Sequence, residues 1–315
     1  MFSALTGFQA GSFLARTLPP PLTSLLARRT GSSLAHVQRG RRAIVARHMR
    51  RVLGPDASDA AVGRAVDGAF QSYAAYWLES FRLPSLSAAT VAAGMATEGF
   101  DPNLLDALDA GNGVILALPH LGGWEWAGRW VADLGHPITV VVEPIQPPEL
   151  FEWFASLRAA LGMTVVPLGP AAGNTILRAL RANEVVCLLS DRDLGGGGIP
   201  VTFFGEVTTL PAGPALLSIR TGAPILPTAV YFTGGDGHLG IVGAPLIVEP
   251  TGRRREDVAR LTQATAAELE SLIRRAPEQW HLFQPNWPSD PGYGLSAGTI
   301  GSTGRPQSSK SPQLD

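Results

Sequence analysis

The sequence predicts an α/β fold: a mainly parallel central sheet flanked by helices, with a basic N-terminal helical segment. From residue 111 onward, short apolar runs alternate with helical patterns of about 10–15 residues, as they do in βαβ units. The runs are continuously apolar rather than alternating, which is typical of strands buried on both faces. A chain of 315 residues is long enough to bury one large core.

The predicted elements follow one another in a regular order. The predicted strands cover residues 113–119, 138–142, 164–168, 185–190, 201–204, 225–232 and 239–248. The helices predicted among and after them cover residues 123–134, 148–161, 172–182, 211–221 and 254–275. Before the first strand, helical patterns with apolar faces cover residues 3–17, 21–53 and 58–82.

Charge is distributed unevenly along the chain. Residues 1–55 hold nine arginines and no acidic residue, although the net charge of the whole chain is −1. Apolar residues alternate with these arginines, a pattern that fits either a helix on an anionic membrane surface or a solvated basic helix packed on the core. We expect membrane-associating amphipathic helices over residues 1–55, an α/β domain over 56–290, and a disordered tail rich in Gly, Ser, Pro and Gln over 291–315.

Other classes of protein find no support in the composition. No apolar run reaches the roughly 20 residues that cross a bilayer. The six histidines are scattered and Cys187 is the single cysteine, so neither a metal site nor an intramolecular disulfide is expected. No nucleic-acid recognition motif accompanies the arginines.

Residues 119–125 (PHLGGWE) carry the strongest chemical signal. His120 ends a predicted buried strand, and Glu125 lies in the first turn of the next helix. Carboxyl ends of parallel strands are where α/β folds place their sites. A carboxylate on one ring nitrogen leaves the other free to act as a base. The alternative is a histidine that simply ends a strand, followed by an acidic helix start.

This segment belongs to a longer ordered series. Residues 113–125 resemble the histidine block of a bacterial lipid acyltransferase family that includes the lipid A late acyltransferases and the actinobacterial phosphatidylinositol mannoside acyltransferases. Gly123 stands where that family usually has Asn. The resemblance extends over about residues 35–290, through the blocks VVVEP (140–144), LRAALGM (157–163), LSDRDL (189–194), FFGE (203–206), GPALLSIRTGAPILP (213–227) and PEQWHLFQPNW (277–287).

The resemblance implies an enzyme at the cytoplasmic face of the inner membrane, with a hydrophobic groove for an acyl chain and direct transfer from a thioester to a hydroxyl. It implies that His120 is the general base. Glu125 belongs to the family signature, and Glu143, which follows the neighbouring strand, competes with it as the partner of His120. A surface acid at a strand end is the alternative for Glu143.

Further charged residues are expected near the same crevice. Arg158 and Arg192 are candidates to bind phosphate, because a guanidinium group binds phosphate bidentately. Asp193 is the substrate-binding candidate beside Arg192. For Asp191, pairing with arginine to brace the loop is the preferred reading. Within the last block, Trp280 is expected to pack in the core, as is the neighbouring His281.

The expected reaction is transfer of a fatty acyl chain, palmitoyl in particular, from acyl-CoA to a mannose hydroxyl of phosphatidylinositol mannoside, without a cofactor. The Arg-rich, Lys-poor composition and the ending of the last block favour the actinobacterial branch. Two alternatives stay open: a lipid A type acyltransferase that uses acyl carrier protein, and a non-enzymatic lipid-binding protein.

Overall fold

The computed structural model of the protein describes residues 4–17, 20–194 and 196–294. In that part of the chain, seven strands form one sheet in the order β1-β9-β8-β2-β5-β3-β4, in which only β8 and β9 pair antiparallel. The predicted fold class is therefore confirmed. The strands of this sheet are β1 (Met95–Glu98), β2 (Val114–Leu118), β3 (Ile138–Val142), β4 (Met163–Pro167), β5 (Val185–Leu189), β8 (Ile225–Gly234) and β9 (Gly237–Val242).

Helices cover both faces of the sheet, and an antiparallel hairpin of β6 (Ile199–Phe203) and β7 (Glu206–Leu210) lies apart from it. The helices are α1 (Ala4–Thr17), α2 (Pro20–Val37), α3 (Arg39–Leu53), α4 (Asp59–Arg82), α5 (Ala88–Ala93), α6 (Asp106–Asp109), α7 (Trp124–Asp133), α8 (Pro148–Ala160), α9 (Ala172–Arg181), α10 (Gly213–Thr221) and α11 (Arg254–Arg275).

Strand β2 shows why the continuous apolar runs form the centre of the sheet. All five of its residues are buried. Ile115 and Ala117 face the core that includes α9 and α10, whereas Leu116 and Leu118 face the core on the side of α7. Both faces are covered, so every position has to be apolar.

Some boundaries differ from the sequence prediction. The strand predicted over residues 239–248 ends at Val242, although Gly243 and Leu246 still donate backbone hydrogen bonds to β8. The helical stretch predicted over residues 21–53 is divided at Gln38. Strands β1 and β7 were not predicted, because both carry mixed polar sequences and β1 lies at the edge of the sheet.

The basic helix α3 is packed into the body of the protein. Val45 and Met49 are buried against residues of α4. Four of its six arginines form intramolecular ion pairs, among them Arg42 with Asp67 and Arg51 with Glu206. Helix α3 therefore does not support the expectation of a separate membrane-associating segment over residues 1–55.

Residues 280–290 form a C-terminal segment that crosses the end of the sheet and is bonded to α3. The buried carboxylate of Asp290 lies 3.1 Å from Nε2 of His48 and accepts hydrogen bonds from the backbone N–H groups of Asn286 and Trp287. Burial alone would raise the pKa of Asp290, but these bonds outweigh it and hold the pKa well below its ordinary value. The predicted tail over 291–315 lies outside the described residues from residue 295 on.

Replacing Asp290 with Asn is expected to lower the free energy of unfolding by about 3–5 kcal/mol, because His48 and two arginines would lose a buried partner. The control is Asp59→Asn, which removes an exposed pair with Arg50 and should cost about 1 kcal/mol or less. Denaturant titrations measure both. A carboxyl with a lowered folded-state pKa stabilises above its unfolded pKa, so the effect of Asp290→Asn should shrink below about pH 4. A pH-independent difference would contradict this account.

Candidate active site

The register of two neighbouring strands creates the site. In the parallel pair β2 and β5, Leu118 lies opposite Leu189. His120 and Asp191 each follow two residues later, so the two side chains emerge side by side at the carboxyl edge of the sheet. Nδ1 of His120 lies 2.6 Å from Oδ1 of Asp191.

Asp191 is fully buried and held from several sides. Its Oδ2 accepts hydrogen bonds from the backbone N–H of His120 (2.9 Å) and from Nε1 of Trp280 (2.8 Å). Its backbone carbonyl accepts a bond from Nδ2 of Asn286 at 3.0 Å. Burial raises the pKa of Asp191, but the His120 ring and these hydrogen bonds outweigh it, and the pKa is lowered overall. Asp191 is thus a carboxylate at neutral pH.

The carboxylate fixes the orientation and tautomer of His120. An ionised carboxylate can only accept hydrogen bonds, so Nδ1 of His120 donates the 2.6 Å bond. Nε2 is then the nitrogen that can take a proton. One quarter of the His120 side chain is exposed, which leaves this edge of the ring accessible to a substrate. A buried acid behind a partly exposed imidazole is the arrangement of a general base.

Glu125 does not pair with His120, contrary to the sequence expectation. It is buried in the first turn of α7, and its Oε1 accepts hydrogen bonds from Nε (2.9 Å) and Nη2 (2.5 Å) of Arg158 and from the hydroxyl of Tyr76 (3.0 Å). The helix turn directs the carboxylate towards α4 and α8, away from the end of β2. Arg158 is consequently neutralised by Glu125 within the protein.

Glu143 does not pair with His120 either. Strand β3 is separated from β2 by β5, so the residue after β3 meets the residue that follows Asp191. Glu143 accepts a 2.6 Å hydrogen bond from Nη2 of Arg192. Arg192 is about one tenth exposed, and its Nε is buried without a hydrogen-bond partner among the described residues.

Asp193 supports the glycine-rich loop that follows it. Its carboxylate accepts hydrogen bonds from the backbone N–H groups of Gly196 and Gly198 and from Oγ1 of Thr209. A side chain at Gly198 would come within 2.6 Å of this carboxylate. The structure therefore places Asp193 in the loop that follows Asp191, where it acts as a loop brace.

Gly123 gives the turn after His120 its shape. A Cβ atom at this position would lie 2.7 Å from Nε2 of His238 and 2.9 Å from Oε1 of Glu79. These two side chains lie 3.0 Å apart, and the His238 ring stacks on Trp126. They fill the space that the larger residue usual in the family would need, which accounts for the glycine.

Sequence reasoning missed the residues that hold His120 in place. Asp191 was assigned to loop bracing, and Trp280 to core packing. The importance of Trp280 and Asn286 could in part have been predicted from the sequence, because both belong to the block PEQWHLFQPNW (277–287).

Within the described residues there is no group of three or more His, Cys, Asp or Glu side chains that could hold a metal ion.

The fold and this site define a class of α/β protein with a His–Asp pair at the carboxyl edge of a parallel sheet, an arrangement that can accept a proton. The chain matches the family described as bacterial lipid A biosynthesis acyltransferase over residues 8–289, and it belongs to that family. The protein is an acyltransferase of glycolipid biosynthesis.

Two curated relatives extend the comparison. The chain is 35% identical to the phosphatidylinositol mannoside acyltransferase of Mycolicibacterium smegmatis over 288 residues, which is 90% of this chain and 91% of the relative. It is 39% identical to the phosphatidylinositol mannoside acyltransferase of Mycobacterium tuberculosis over 225 residues, which is 70% of this chain and 69% of the relative. The resemblance expected from the ordered blocks is thus confirmed.

Proposed function

We propose that the protein transfers a palmitoyl chain from acyl-CoA to a mannose hydroxyl of phosphatidylinositol mannoside, with His120 as the general base. The observation that carries this proposal is the His120–Asp191 pair at the carboxyl edge of the sheet. The names of the two relatives support the acceptor. Nε2 of His120 takes the proton of the mannose hydroxyl while the hydroxyl oxygen attacks the thioester carbonyl carbon.

We infer an apolar cleft beside His120 that suits a long-chain donor. Strands β5 and β3 are internal to the sheet, yet Val140, Cys187 and Leu189 on the side of α7 are only half-buried. On the opposite face of β5, Val186 and Leu188 are buried. The helices therefore leave part of this face uncovered next to the catalytic edge, where an apolar chain can lie.

Cys187 does not act as a nucleophile in this cleft. Burial, with a smaller effect of the nearby Glu125 charge, raises the pKa of Cys187 to about 12. The thiol is therefore neutral at physiological pH and contributes apolar surface.

Arg192 is the better placed of the two arginines for contact with the anionic part of a substrate. Arg158 uses both Nε and Nη2 on Glu125. Arg192 uses Nη2 on Glu143 and keeps a buried Nε without a partner among the described residues. Arg192 also directly follows Asp191, so it is closer in sequence to the catalytic pair than Arg158 is.

A transfer assay tests the proposed function. Radiolabelled palmitoyl-CoA is offered with either mannosylated phosphatidylinositol or a lipid A precursor. Label on the mannolipid supports the proposal. Label on the lipid A precursor alone would favour the lipid A type reaction, particularly if palmitoyl–acyl carrier protein is the better donor. Binding of either lipid without any transfer would favour a lipid-binding protein.

We also propose that α1 and α2 carry the membrane-facing surface. Within the described residues, no helix is both long and apolar enough to span a bilayer. Phe13 is 69% exposed, and other large apolar side chains on the two helices are exposed as well: Leu14, Leu22, Leu25 and Leu26. Arg28 and Arg29 are exposed on α2, and acidic residues are absent from residues 1–55.

The position of α1 links this surface to the site. Phe8 of α1 packs against Trp77 of α4 and Phe154 of α8. The same two helices provide Tyr76 and Arg158, which hold Glu125 one turn beyond His120. A membrane lipid entering from α1 would therefore approach the half-buried cleft directly.

Replacing Phe13 and Leu25 with Ser is expected to weaken binding to vesicles of anionic phospholipid at least tenfold, because each apolar side chain contributes roughly 1.5–3 kcal/mol when fully buried. Replacing Arg28 and Arg29 with Gln should weaken binding by about 1 kcal/mol per residue at low salt and less at high salt. Sedimentation with vesicles measures both effects.

The matched control is the pair Arg47→Gln and Arg50→Gln on α3, whose charges are used within the protein. These substitutions should leave vesicle binding nearly unchanged. Loss of binding in the α3 variants, with normal binding in the α1–α2 variants, would contradict the proposed surface.

A further inference from the structure

One ring beside the catalytic pair has a nitrogen that the protein itself does not use. His281 is about 5% exposed, and its Nε2 lies 2.9 Å from Oγ of Ser72. Its Nδ1 is buried and has no hydrogen-bond partner among the described residues. Buried polar nitrogens are nearly always satisfied, so an unused one beside a catalytic residue indicates a ligand.

The main chain places His281 next to His120. The backbone N–H of His281 donates a 2.6 Å hydrogen bond to the carbonyl oxygen of His120. In a histidine, Nδ1 is the ring nitrogen nearer the main chain, whereas here Nε2 is directed towards Ser72 on α4. The His281 ring also lies 5.8 Å from the ring of Trp124, which is itself 6.0 Å from the His120 ring. Trp124 thus lies near both histidine rings.

The surroundings keep His281 uncharged. Burial, with a smaller effect of the nearby His120, lowers the pKa of His281 to about 3. A neutral imidazole carries one proton. If the Ser72 hydroxyl donates to Nε2, the proton lies on Nδ1, and the unused nitrogen is a hydrogen-bond donor.

We propose that His281 is a second catalytic residue, whose Nδ1–H donates to the thioester carbonyl oxygen and stabilises the oxyanion that forms there. This inference rests on the proposed acyl transfer. It differs from the base role of His120, since His281 neither gains nor loses a proton. A neutral imidazole in a water-poor site can stabilise developing negative charge in this way.

The acyl chain passes to the acceptor by addition and then elimination. The acceptor oxygen bonds to the carbonyl carbon, and its proton moves to Nε2 of His120. The C=O π electrons move to the carbonyl oxygen, where the negative charge meets Nδ1–H of His281. When the C=O bond re-forms, the C–S bond breaks, and the leaving thiolate takes the proton from His120. The products are an ester and a free thiol.

Three substitutions at His281 separate this role from a structural one. The amide nitrogen of Asn occupies nearly the position of Nδ1, and that of Gln nearly the position of Nε2. With palmitoyl-CoA and the mannolipid, His281→Ala and His281→Gln should each lower kcat by about 10²–10³-fold with little change in KM. His281→Asn should stay within about tenfold of the wild type. Activity of the Gln variant equal to or above that of the Asn variant would overturn the inference, because only the bond to Ser72 would then matter.

A second measurement needs no substrate. In protein labelled with ¹⁵N-histidine, the side-chain shifts of His281, identified by its absence in His281→Asn, report which nitrogen carries the proton. A proton on Nδ1 at pH 7, with no imidazolium down to about pH 4, supports the inference. A proton on Nε2 overturns it. Absence of any transfer by the wild type contradicts the proposed function, and it is distinguished from a failure of this inference by the NMR result.

Discussion

Replacing His120 with Ala is expected to reduce palmitoyl transfer by about 10²–10⁴-fold, the usual contribution of a positioned base. The loss should be in kcat rather than KM, because the imidazole acts on a proton that moves only in the transition state. The fold should persist. The His120 side chain is at the surface of the site, and Trp280 still donates a hydrogen bond to Asp191 in its absence.

The control is His36→Ala, in an exposed histidine of α2 whose Nδ1 lies 2.7 Å from the backbone carbonyl oxygen of Ser32. It should transfer palmitoyl at the wild-type rate. Single-turnover transfer with radiolabelled palmitoyl-CoA measures both variants. A His120→Ala protein with near-normal activity would remove His120 from the mechanism.

Replacing Asp191 with Asn is expected to reduce the rate by about 10³–10⁴-fold, although Asp191 never touches the substrate. The amide can offer an N–H group to Nδ1 of His120, which favours the tautomer with its proton on Nε2 and removes the base. The corresponding change in a Ser-His-Asp triad costs about 10⁴-fold. The remaining amide oxygen can still accept the bond from Trp280, so the variant should fold.

Circular dichroism and thermal unfolding of Asp191→Asn show whether the fold is retained. A folded variant with wild-type kcat would mean that the 2.6 Å contact between His120 and Asp191 does not contribute to catalysis. A variant that fails to fold is replaced by Trp280→Phe, which keeps Asp191 charged and removes one of its hydrogen bonds. That variant should lose less than Asp191→Asn does.

The alternation of apolar runs predicted the fold because it follows from burial on both faces of a parallel sheet. Strand order is not contained in that pattern. The sequence prediction chose Glu125 and Glu143 as candidate partners of His120, and they are 5 and 23 residues away. The actual neighbour, Asp191, is 71 residues away and reaches His120 only because β5, rather than β3, pairs with β2.

The roles of the arginines show a second limit of the sequence pattern. The density of arginine along α3 suggested a membrane surface, but their acidic partners lie far along the chain, as with Arg47 and Asp290. The apolar faces of α1 and α2 were visible in the helical patterns over residues 3–17 and 21–53, but the pattern does not say whether such a face is exposed. Which face of a helix stays open depends on packing against α4 and α8, and this is settled only by the tertiary structure.

The account is tested most directly by the rate of palmitoyl transfer in three acid-to-amide variants: Asp191→Asn, Glu125→Gln and Glu143→Gln. They are compared in one single-turnover assay with palmitoyl-CoA and mannosylated phosphatidylinositol. If Asp191 is the partner of His120, Asp191→Asn loses at least tenfold more rate than either glutamate variant. A Glu125→Gln or Glu143→Gln protein that loses most of its rate, beside an Asp191→Asn protein close to wild type, would contradict the account.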